Sequence, residues 1–246
     1  MRPALHILLL ICAAAPAARA DSRNQTFDDF ATPLPVKPGE TLVLGIVGGW
    51  ERWDNPARCI RRTAIALKRR ELKGVWVETA ENRKLALAER LIREAFDFNR
   101  DGKLGAEEAK QARVVLYGQS LGGRAVLRLA RTLNDWGVAV RLAAIVDAYG
   151  KDSYLVPPNV SEAANWFQRD HLFIKGAPEL RAEDPSRTRI RFNKKLSYKG
   201  RKDEIEIDEQ SRLQTFFMGE HLVMEFDMAL WREVEELVIS AALARE

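Results

Sequence analysis

The stretch that decides the fold is VLYGQSLGG, residues 115–123. Apolar residues lead into it as in a buried strand, and the helical pattern GGRAVLRLARTLNDWG follows and ends at Gly137. The G-x-S-x-G pattern from Gly118 to Gly122 therefore falls on a sharp turn between a strand and a helix. Both glycines are needed because a side chain at either position would collide with neighbouring backbone. The turn would hold the hydroxyl of Ser120 above the strand end, near the N-terminal amides of the helix.

Short apolar runs alternate with helical patterns on both sides of this turn. The predicted strands cover 41–47, 74–80, 114–119 and 140–150, and the predicted helices cover 56–71, 84–96 and 122–137. This alternation predicts an α/β fold, with a mostly parallel sheet and helices on both faces. Later in the chain, 172–176 and 214–218 are predicted strands and 222–243 a helix, whereas 189–193 and 204–208 alternate as in a polar-faced hairpin or edge excursion.

The first 20 residues have the composition of a secretory signal peptide. They combine a basic start at Arg2, an apolar core and the small-x-small site Ala18-Arg19-Ala20, so we expect a periplasmic or secreted protein cleaved near Ala20. Residues 21–40 contain three prolines and are predicted to be an extended lead-in. Residues 41–246 then form one domain, because a mature chain of about 225 residues is long enough for a full core.

Charge and cysteine content limit the class of protein. Removing Arg2 and Arg19 lowers the formal net charge from +4 to +2, which gives no indication of a nucleic-acid binder. Cys59 would be the remaining cysteine, so the exported chain is expected to fold without an internal disulfide. No second apolar run is long enough for a transmembrane segment.

The stretch GQSLGG, residues 118–123, resembles the nucleophile turn of the α/β-hydrolase family, particularly lipases and esterases. The resemblance implies a serine nucleophile at Ser120 and catalytic groups that follow in the order serine, acid, histidine. Serine needs such partners because its hydroxyl is a poor nucleophile until a base takes the proton and an acid orients that base.

His221 is the predicted base. His6 would leave with the signal peptide, so His171 and His221 remain. Catalytic groups gather beyond the carboxyl ends of parallel strands. His171 precedes the predicted strand 172–176 and is expected at the opposite edge, as a surface or capping residue. His221 follows the predicted strand 214–218, where the family's histidine lies.

The acid has two candidates. Asp147 stands at the carboxyl end of the predicted strand after the one that carries Ser120, as in lipases whose acid comes early. The commoner family position is one strand later, where Asp184 is the nearest carboxylate. We prefer Asp147, since Asp184 lies in a charged loop.

Acyl chemistry also needs two backbone donors for the developing oxyanion. The amide of Leu121 is one, and the loop after the first strand, which begins Gly48-Gly49-Trp50, should supply the other. This loop lacks the histidine of the lipase HGGG form, so the choice between the amides of Gly49 and Trp50 stays open. Trp50 and Trp53 would line an apolar substrate pocket or belong to the core.

A second motif, DFNRDGKLGAEE at residues 97–108, has the spacing of an EF-hand calcium loop. A glycine, Gly102, occupies the position of the sharp turn, and Leu104 occupies the apolar position. The predicted ligands are oxygen atoms, namely the side chains of Asp97, Asn99, Asp101 and Glu108, the carbonyl of Lys103, and a water at Gly105. The sequence therefore predicts that Ca²⁺ binds here.

The predicted calcium ion has a structural role. The chain has one such loop and a short exiting helix, whereas sensor EF-hands work in pairs and open an apolar groove. The loop precedes the strand that ends at Ser120, so the strand's length, roughly 15 Å, separates the ion from the hydroxyl.

Together these motifs predict an exported serine hydrolase of carboxylic esters or thioesters, acting on a small-molecule or lipid-like acyl substrate. Two alternatives stay open: a non-catalytic calcium-binding interaction protein on the same scaffold, and a peptidase that shares every catalytic residue. The sequence indicates no particular protein partner.

Overall fold

A computed structural model describes residues 24–150, 154–171, 175–199, 205, 207 and 219–244. The strands in this part of the chain are β1 (Thr41–Val47), β2 (Val75–Glu81), β3 (Val114–Gln119), β4 (Val140–Val146), β5 (Leu155–Val156), β6 (Val160–Gln168), β7 (Arg181–Ala182) and β8 (Arg189–Leu196). Six of them form one sheet in the order β2-β1-β3-β4-β6-β8. Every neighbouring pair is parallel. The carboxyl ends of β3 and β4 therefore lie side by side near the middle of the sheet.

The helices of the described residues cover both faces of this sheet. They are α1 (Cys59–Arg69), α2 (Leu85–Ala95), α3 (Ala106–Gln111), α4 (Leu121–Asp135), α5 (Glu220–Phe226) and α6 (Met228–Leu243). One buried cluster joins α2 and α4 to one face, and a second joins α1 and α6 to the other. Strand β1 shows the alternation, because Leu44 faces the first cluster and Val43 the second. The predicted α/β class, with a parallel sheet between two helical layers, is confirmed.

Strands that are buried on both faces match their predicted bounds most closely. Strand β1 covers 41–47 as predicted, and every residue in it is buried. Strand β3 likewise covers 114–119. Helix α1 begins at Cys59 rather than Pro56, because Asn55 accepts the amide of Ala57 in a local turn before the helix starts.

Later elements depart from prediction. Strand β6 was not predicted, since polar residues interrupt its apolar run, and it separates β4 from β8 in the sheet. Residues 189–193 belong to β8, which pairs in parallel with β6 rather than forming a hairpin arm. The predicted helix 222–243 is broken, because Asp227 accepts the amides of Ala229 and Leu230 and caps α6. The predicted strand 214–218, most of 172–176 and most of 204–208 lie outside the described residues.

The lead-in segment packs against β2 and α2. The side chain of Glu78 accepts the amides of Ala31 and Thr32, and the side-chain amide of Gln25 donates to the carbonyl of Thr79. Farther along, the amide of Val36 donates to the carbonyl of Ala95. These bonds cover the edge strand β2, whose unpaired edge would otherwise be open to pairing with another chain.

No helix in the described part of the chain is long and apolar enough to cross a membrane.

Candidate active site

The turn after β3 holds Ser120 in a rare backbone conformation. Its φ is 58° and its ψ −126°, which non-glycine residues seldom adopt and which marks local strain. A Cβ on Gly122 would lie 2.1 Å from the carbonyl oxygen of Ile46, and one on Gly118 would lie 2.6 Å from the carbonyl oxygen of Gly122. The two glycines therefore let α4 start close against β1, and this close approach places Ser120 at the carboxyl edge of the sheet.

Three side chains meet at this edge in a hydrogen-bonded chain. The Oγ of Ser120 lies 2.8 Å from Nε2 of His221. The Nδ1 of His221 lies 2.6 Å from Oδ2 of Asp147. Asp147 is fully buried and His221 nearly so, whereas Ser120 retains 9% of its surface. The structure thus brings together the predicted nucleophile, base and acid, with the hydroxyl at the outer end.

Asp147 is held by two residues of β6 and by the close approach of Gly176. It follows β4 with a φ of 46°, and its amide donates to the carbonyl of Trp166 on β6. Gln168, at the end of β6, donates its backbone amide to Oδ1 and its side-chain amide to Oδ2 of Asp147, each at 3.0 Å. A Cβ on Gly176 would lie 1.9 Å from Oδ1, so only glycine fits beside the carboxylate. These contacts leave Oδ2 directed at the imidazole.

Gln168 is a site residue that the sequence prediction missed. It is fully buried, and its side-chain oxygen accepts the amides of Asp170 and His171. Its donor is thereby directed at Asp147, because the side-chain oxygen is already fixed by these two amides. A buried glutamine at the end of a parallel strand was the signal, but β6 had not been recognised as a strand.

His221 belongs to the first turn of α5. The N-cap of that helix is Gly219, whose φ of 51° favours glycine. A Cβ on Gly219 would lie 2.5 Å from Cδ2 of His171. His171 thus packs against the start of the helix that carries the base. The prediction that His171 lies at the opposite edge is wrong, because His171 follows the carboxyl end of β6 and packs against the start of α5.

Asp184, the alternative acid, lies away from this site. It is partly exposed in the turn before β8, where the hydroxyl of Ser186 donates to it and lowers its pKa. Of the two candidate acids, Asp147 alone contacts His221.

The loop after β1 forms a tight turn next to Ser120. The amide of Glu51 donates to the carbonyl of Gly48, and the amide of Gly48 donates to the Glu51 side chain at 3.2 Å. Gly49 has a φ of 41°, and a Cβ on Gly48 would lie 3.3 Å from Cβ of Ser120. The Gly48 amide is therefore committed to Glu51, so Gly49 and Trp50 remain the candidate oxyanion donors of this turn. The amide of Leu121 belongs to the first residue of α4, where amides have no intrahelical acceptor.

The two tryptophans of this region have different surroundings. Trp50 is 75% exposed and lies beneath the guanidinium of Arg83, whose carbon is 4.6 Å from the ring centre. Trp53 is buried, so it belongs to the core. Tyr149, whose amide donates to the carbonyl of Ser120, is also partly exposed. Trp50 and Tyr149 thus offer aromatic surface close to the nucleophile.

A largely buried ionic cluster lies between the Gly48–Glu51 turn and α5. Arg58 contacts the carboxylate of Glu225 at 3.1 Å and that of Glu51 at 4.0 Å. Burial and the nearby Glu225 carboxylate raise the pKa of Glu51 to about 8, although Arg58 opposes the shift. Burial also raises the pKa of Glu225. Cys59, the free buried cysteine beside this cluster, has a pKa raised by burial and by Glu225.

The predicted calcium loop connects α2 to α3 at the opposite edge of the sheet. Gly102 has a φ of 82°, as the sharp turn at that position requires. The carboxylate of Asp97 accepts the amides of Asp101 and Gly102, and that of Glu108 accepts the amides of Asn99 and Gly105.

The loop's donors suit a hard cation in kind. Its side-chain ligands would be carboxylate and amide oxygens, the donors that Ca²⁺ prefers. Within the described residues, no three histidine, cysteine or acidic side chains converge closely enough to hold a metal. Calcium binding at Asp97, Asn99, Asp101, Lys103 and Glu108 therefore stays a prediction.

Comparison with known proteins assigns no family to the chain. No protein-family model matches the chain, and no curated protein matches it. Among solved structures, a cutinase-like protein from Cryptococcus sp. is similar with a TM-score of 0.45 and 13% sequence identity, over 87% of this chain and 100% of that chain. The chain is an α/β protein with a parallel sheet, as its own strand order shows.

Proposed function

We propose that the protein is an exported serine hydrolase of carboxylic esters or thioesters, of the lipase and esterase class of the α/β-hydrolase superfamily. The observation that carries this proposal is the hydrogen-bonded chain from Ser120 through His221 to Asp147. It stands at the carboxyl edge of a parallel sheet, on a strained turn that only small residues can flank. A serine of purely structural role requires neither a buried imidazole nor a buried carboxylate behind it.

The geometry supports a two-step acyl transfer. The Oγ of Ser120 attacks the acyl carbonyl carbon while its proton passes to Nε2 of His221, and Asp147 stabilises the imidazolium through Nδ1. The carbonyl electron pair moves to oxygen, where the amides of Leu121 and of Gly49 or Trp50 would donate to it. The tetrahedral intermediate then expels the alcohol or thiol, which takes the proton from His221. Water repeats the sequence on the acyl-serine and releases the acid.

The substrate we propose is a small or lipid-like acyl compound. Trp50 and Tyr149 place exposed aromatic surface close to the nucleophile, which suits an apolar acyl or leaving group. A peptidase would use the same three catalytic residues, so substrate class is decided by turnover. An assembled serine, histidine and aspartate favour an enzyme over a non-catalytic interaction protein.

Hydrolysis of short-chain aryl esters and thioesters tests the proposal. We expect turnover by the purified mature chain and a loss of at least about 10⁴-fold in Ser120→Ala, because the nucleophile is removed. Ser240→Ala is the matched control, since Ser240 is exposed near the end of α6, where the carbonyl of Ala242 bonds Thr41 at the amino end of β1. Cleavage of peptide substrates without ester cleavage would establish the peptidase alternative instead.

We further propose that the loop 97–108 binds one Ca²⁺ with a structural role. The side chains of Asp97, Asn99, Asp101 and Glu108 and the carbonyl of Lys103 would hold the ion, which would fix α2 relative to α3. What supports the proposal is the ligand spacing together with the left-handed backbone at Gly102. The six residues of β3 separate this loop from Ser120, so the ion would not touch the substrate.

Export is the last part of the proposal. It rests on the composition of residues 1–20, with cleavage near Ala20. Mass spectrometry of the protein recovered outside the cytoplasm tests it, because the expected mature chain begins near Asp21.

A further inference from the structure

The turn beside the nucleophile is fixed by a side chain from within the turn itself. Glu51 closes the turn through its own amide and also accepts the amide of Gly48 with its carboxyl group. Asn82, just after β2, donates to the carbonyls of Val47 and Gly49 from the other side. The carboxyl group of Glu51 therefore determines the position of the Gly49 and Trp50 amides relative to Ser120.

The same carboxyl group is connected to the helix that carries the base. Arg58, just before α1, lies between Glu51 and Glu225 and bonds the latter through Nη1. Glu225 lies on α5, one turn after His221, and its side chain is 1% exposed. Arg62 donates to the backbone carbonyl of Glu225. One cluster thus joins the turn, the start of α1 and the histidine helix.

We infer that Glu51 is a positioning residue for the proposed hydrolase, and that its protonated form is the active one. Protonated Glu51 accepts the Gly48 amide without placing a negative charge beside the oxyanion that forms on the substrate. Arg58 and Glu225 couple this turn to the helix of His221. The inference rests on the proposed function, and it adds a pH-dependent control of the turn that supplies the second oxyanion donor.

The charges around Glu51 explain why the proton matters. Its own turn presents only the Gly48 amide, α5 presents the Glu225 carboxylate, and the segment before α1 presents the guanidinium of Arg58. Arg62 and the thiol of Cys59 face Glu225 from α1. Arg58 bonds Glu225 at 3.1 Å but lies 4.0 Å from Glu51, and Arg62 also faces Glu225, so ionisation of Glu51 adds a poorly compensated negative charge beside the turn. That charge opposes a second negative charge on the substrate oxygen.

The rate of fluorophosphonate labelling between pH 6 and 10 tests the inference. In the wild type we expect a rate that falls about tenfold per pH unit above the pKa of Glu51, which is about 8. Glu51→Gln keeps an acceptor for the Gly48 amide but cannot ionise, so its rate should not fall. Glu225→Gln should move the fall to lower pH, because the Glu225 carboxylate raises the pKa of Glu51. Glu179→Gln, an exposed carboxylate paired with Arg181, is the control and should follow the wild type.

Glu51→Ala tests positioning apart from charge. It removes the acceptor of the Gly48 amide, so we expect labelling at least about tenfold slower at every pH, with KM for an ester less affected than kcat. An alkaline fall in Glu51→Gln equal to that of the wild type would overturn the inference while leaving the proposed function intact.

Amide hydrogen exchange at residues 48–50 decides the positioning role without any turnover. Exchange at Gly48 should be slow in the wild type and Glu51→Gln and at least about tenfold faster in Glu51→Ala at the same pH. Equal exchange in all three proteins would overturn the inference. Absence of labelling in every protein would instead refute the proposed function, and the exchange result would still decide whether Glu51 holds the turn.

Discussion

Replacing Gly122 by alanine is the sharpest probe of the turn that presents Ser120. The added Cβ would lie 2.1 Å from the carbonyl oxygen of Ile46 and 2.8 Å from that of Val47. Normal carbon contacts begin near 3.5 Å, so α4 and β1 would have to separate by more than about 1 Å. Both opposing atoms belong to backbone, so no side-chain rotation can relieve the collision.

The energetic cost follows from two opposing effects. Overpacking of a well-filled interior costs about 1–3 kcal/mol and occasionally more, and here the rigid backbone places the cost at the upper end. Alanine in a helix recovers about 1 kcal/mol relative to glycine. We expect a net loss of about 2 kcal/mol in the free energy of unfolding, which corresponds to a melting temperature lower by roughly 4–8 °C for a chain of this size.

The neighbouring residue Gly123 supplies a matched control on the same helix. A Cβ there would lie 3.0 Å from Cβ of Ala148, 3.2 Å from Cγ2 of Ile145 and 3.3 Å from the carbonyl oxygen of Gly118, so shifts of a few tenths of an ångström would accommodate it. We expect Gly123→Ala to stay within about 1 kcal/mol of the wild type, because the helix gain offsets mild crowding. Thermal unfolding by circular dichroism measures both variants. Equal melting temperatures for the two alanine variants would refute the reasoning from the close approach of α4 to β1.

Three further perturbations test other parts of the site. Gln168→Leu removes the side-chain donor to Asp147. Because this hydrogen bond is made to a charged group, kcat for an ester should fall about 10- to 100-fold. An unchanged kcat would show that Gln168 does not support the site. Glu51 keeps its proton up to about pH 8 in the folded chain, whereas in the unfolded chain it loses the proton near pH 4.5. Glu51 therefore contributes stability that is fully present below about pH 4.5 and is lost as the pH rises to about 8. Between these pH values, the free energy of unfolding of the wild type, measured with denaturant, should therefore fall by up to about 1.4 kcal/mol per pH unit relative to that of Glu51→Gln. Parallel plots of unfolding free energy against pH for the two proteins would contradict the shift. Millimolar Ca²⁺ should stabilise the wild type by about 1 kcal/mol, which raises its melting temperature by roughly 2–4 °C. Glu108→Gln should lose this stabilisation, whereas Glu107→Gln, which changes an exposed carboxylate, should keep it. No change in the melting temperature of the wild type with Ca²⁺ would refute the calcium proposal.

The parts of the fold that sequence predicts well are those that a single physical effect dominates. Strand β1 was placed at its observed bounds because burial on both faces requires a continuous apolar run. The turn at Ser120 was placed because only glycine fits where α4 meets β1. Asp147 and His221 followed from their positions at strand ends along the chain.

The rest depended on contacts between segments far apart in sequence. Strand β6 carries Asn165 and Gln168, which are fully buried because they bond partners on other elements, and such residues break an apolar pattern. His171 was placed at the wrong edge for the same reason, since its position follows from β6. Glu51 resembles any loop carboxylate until α5 brings Glu225 beside it, some 170 positions later in the chain.

The central claim is that Ser120 is a nucleophile activated by His221. Mass spectrometry of the folded protein after reaction with a fluorophosphonate probe measures this most directly. We predict one covalent adduct, located on Ser120, formed by the wild type and by Ser240→Ala and lost in Ser120→Ala, with a rate at least about 10³-fold lower in His221→Ala. A folded wild-type protein that forms no adduct on Ser120, or one whose labelling rate does not depend on His221, would contradict the claim.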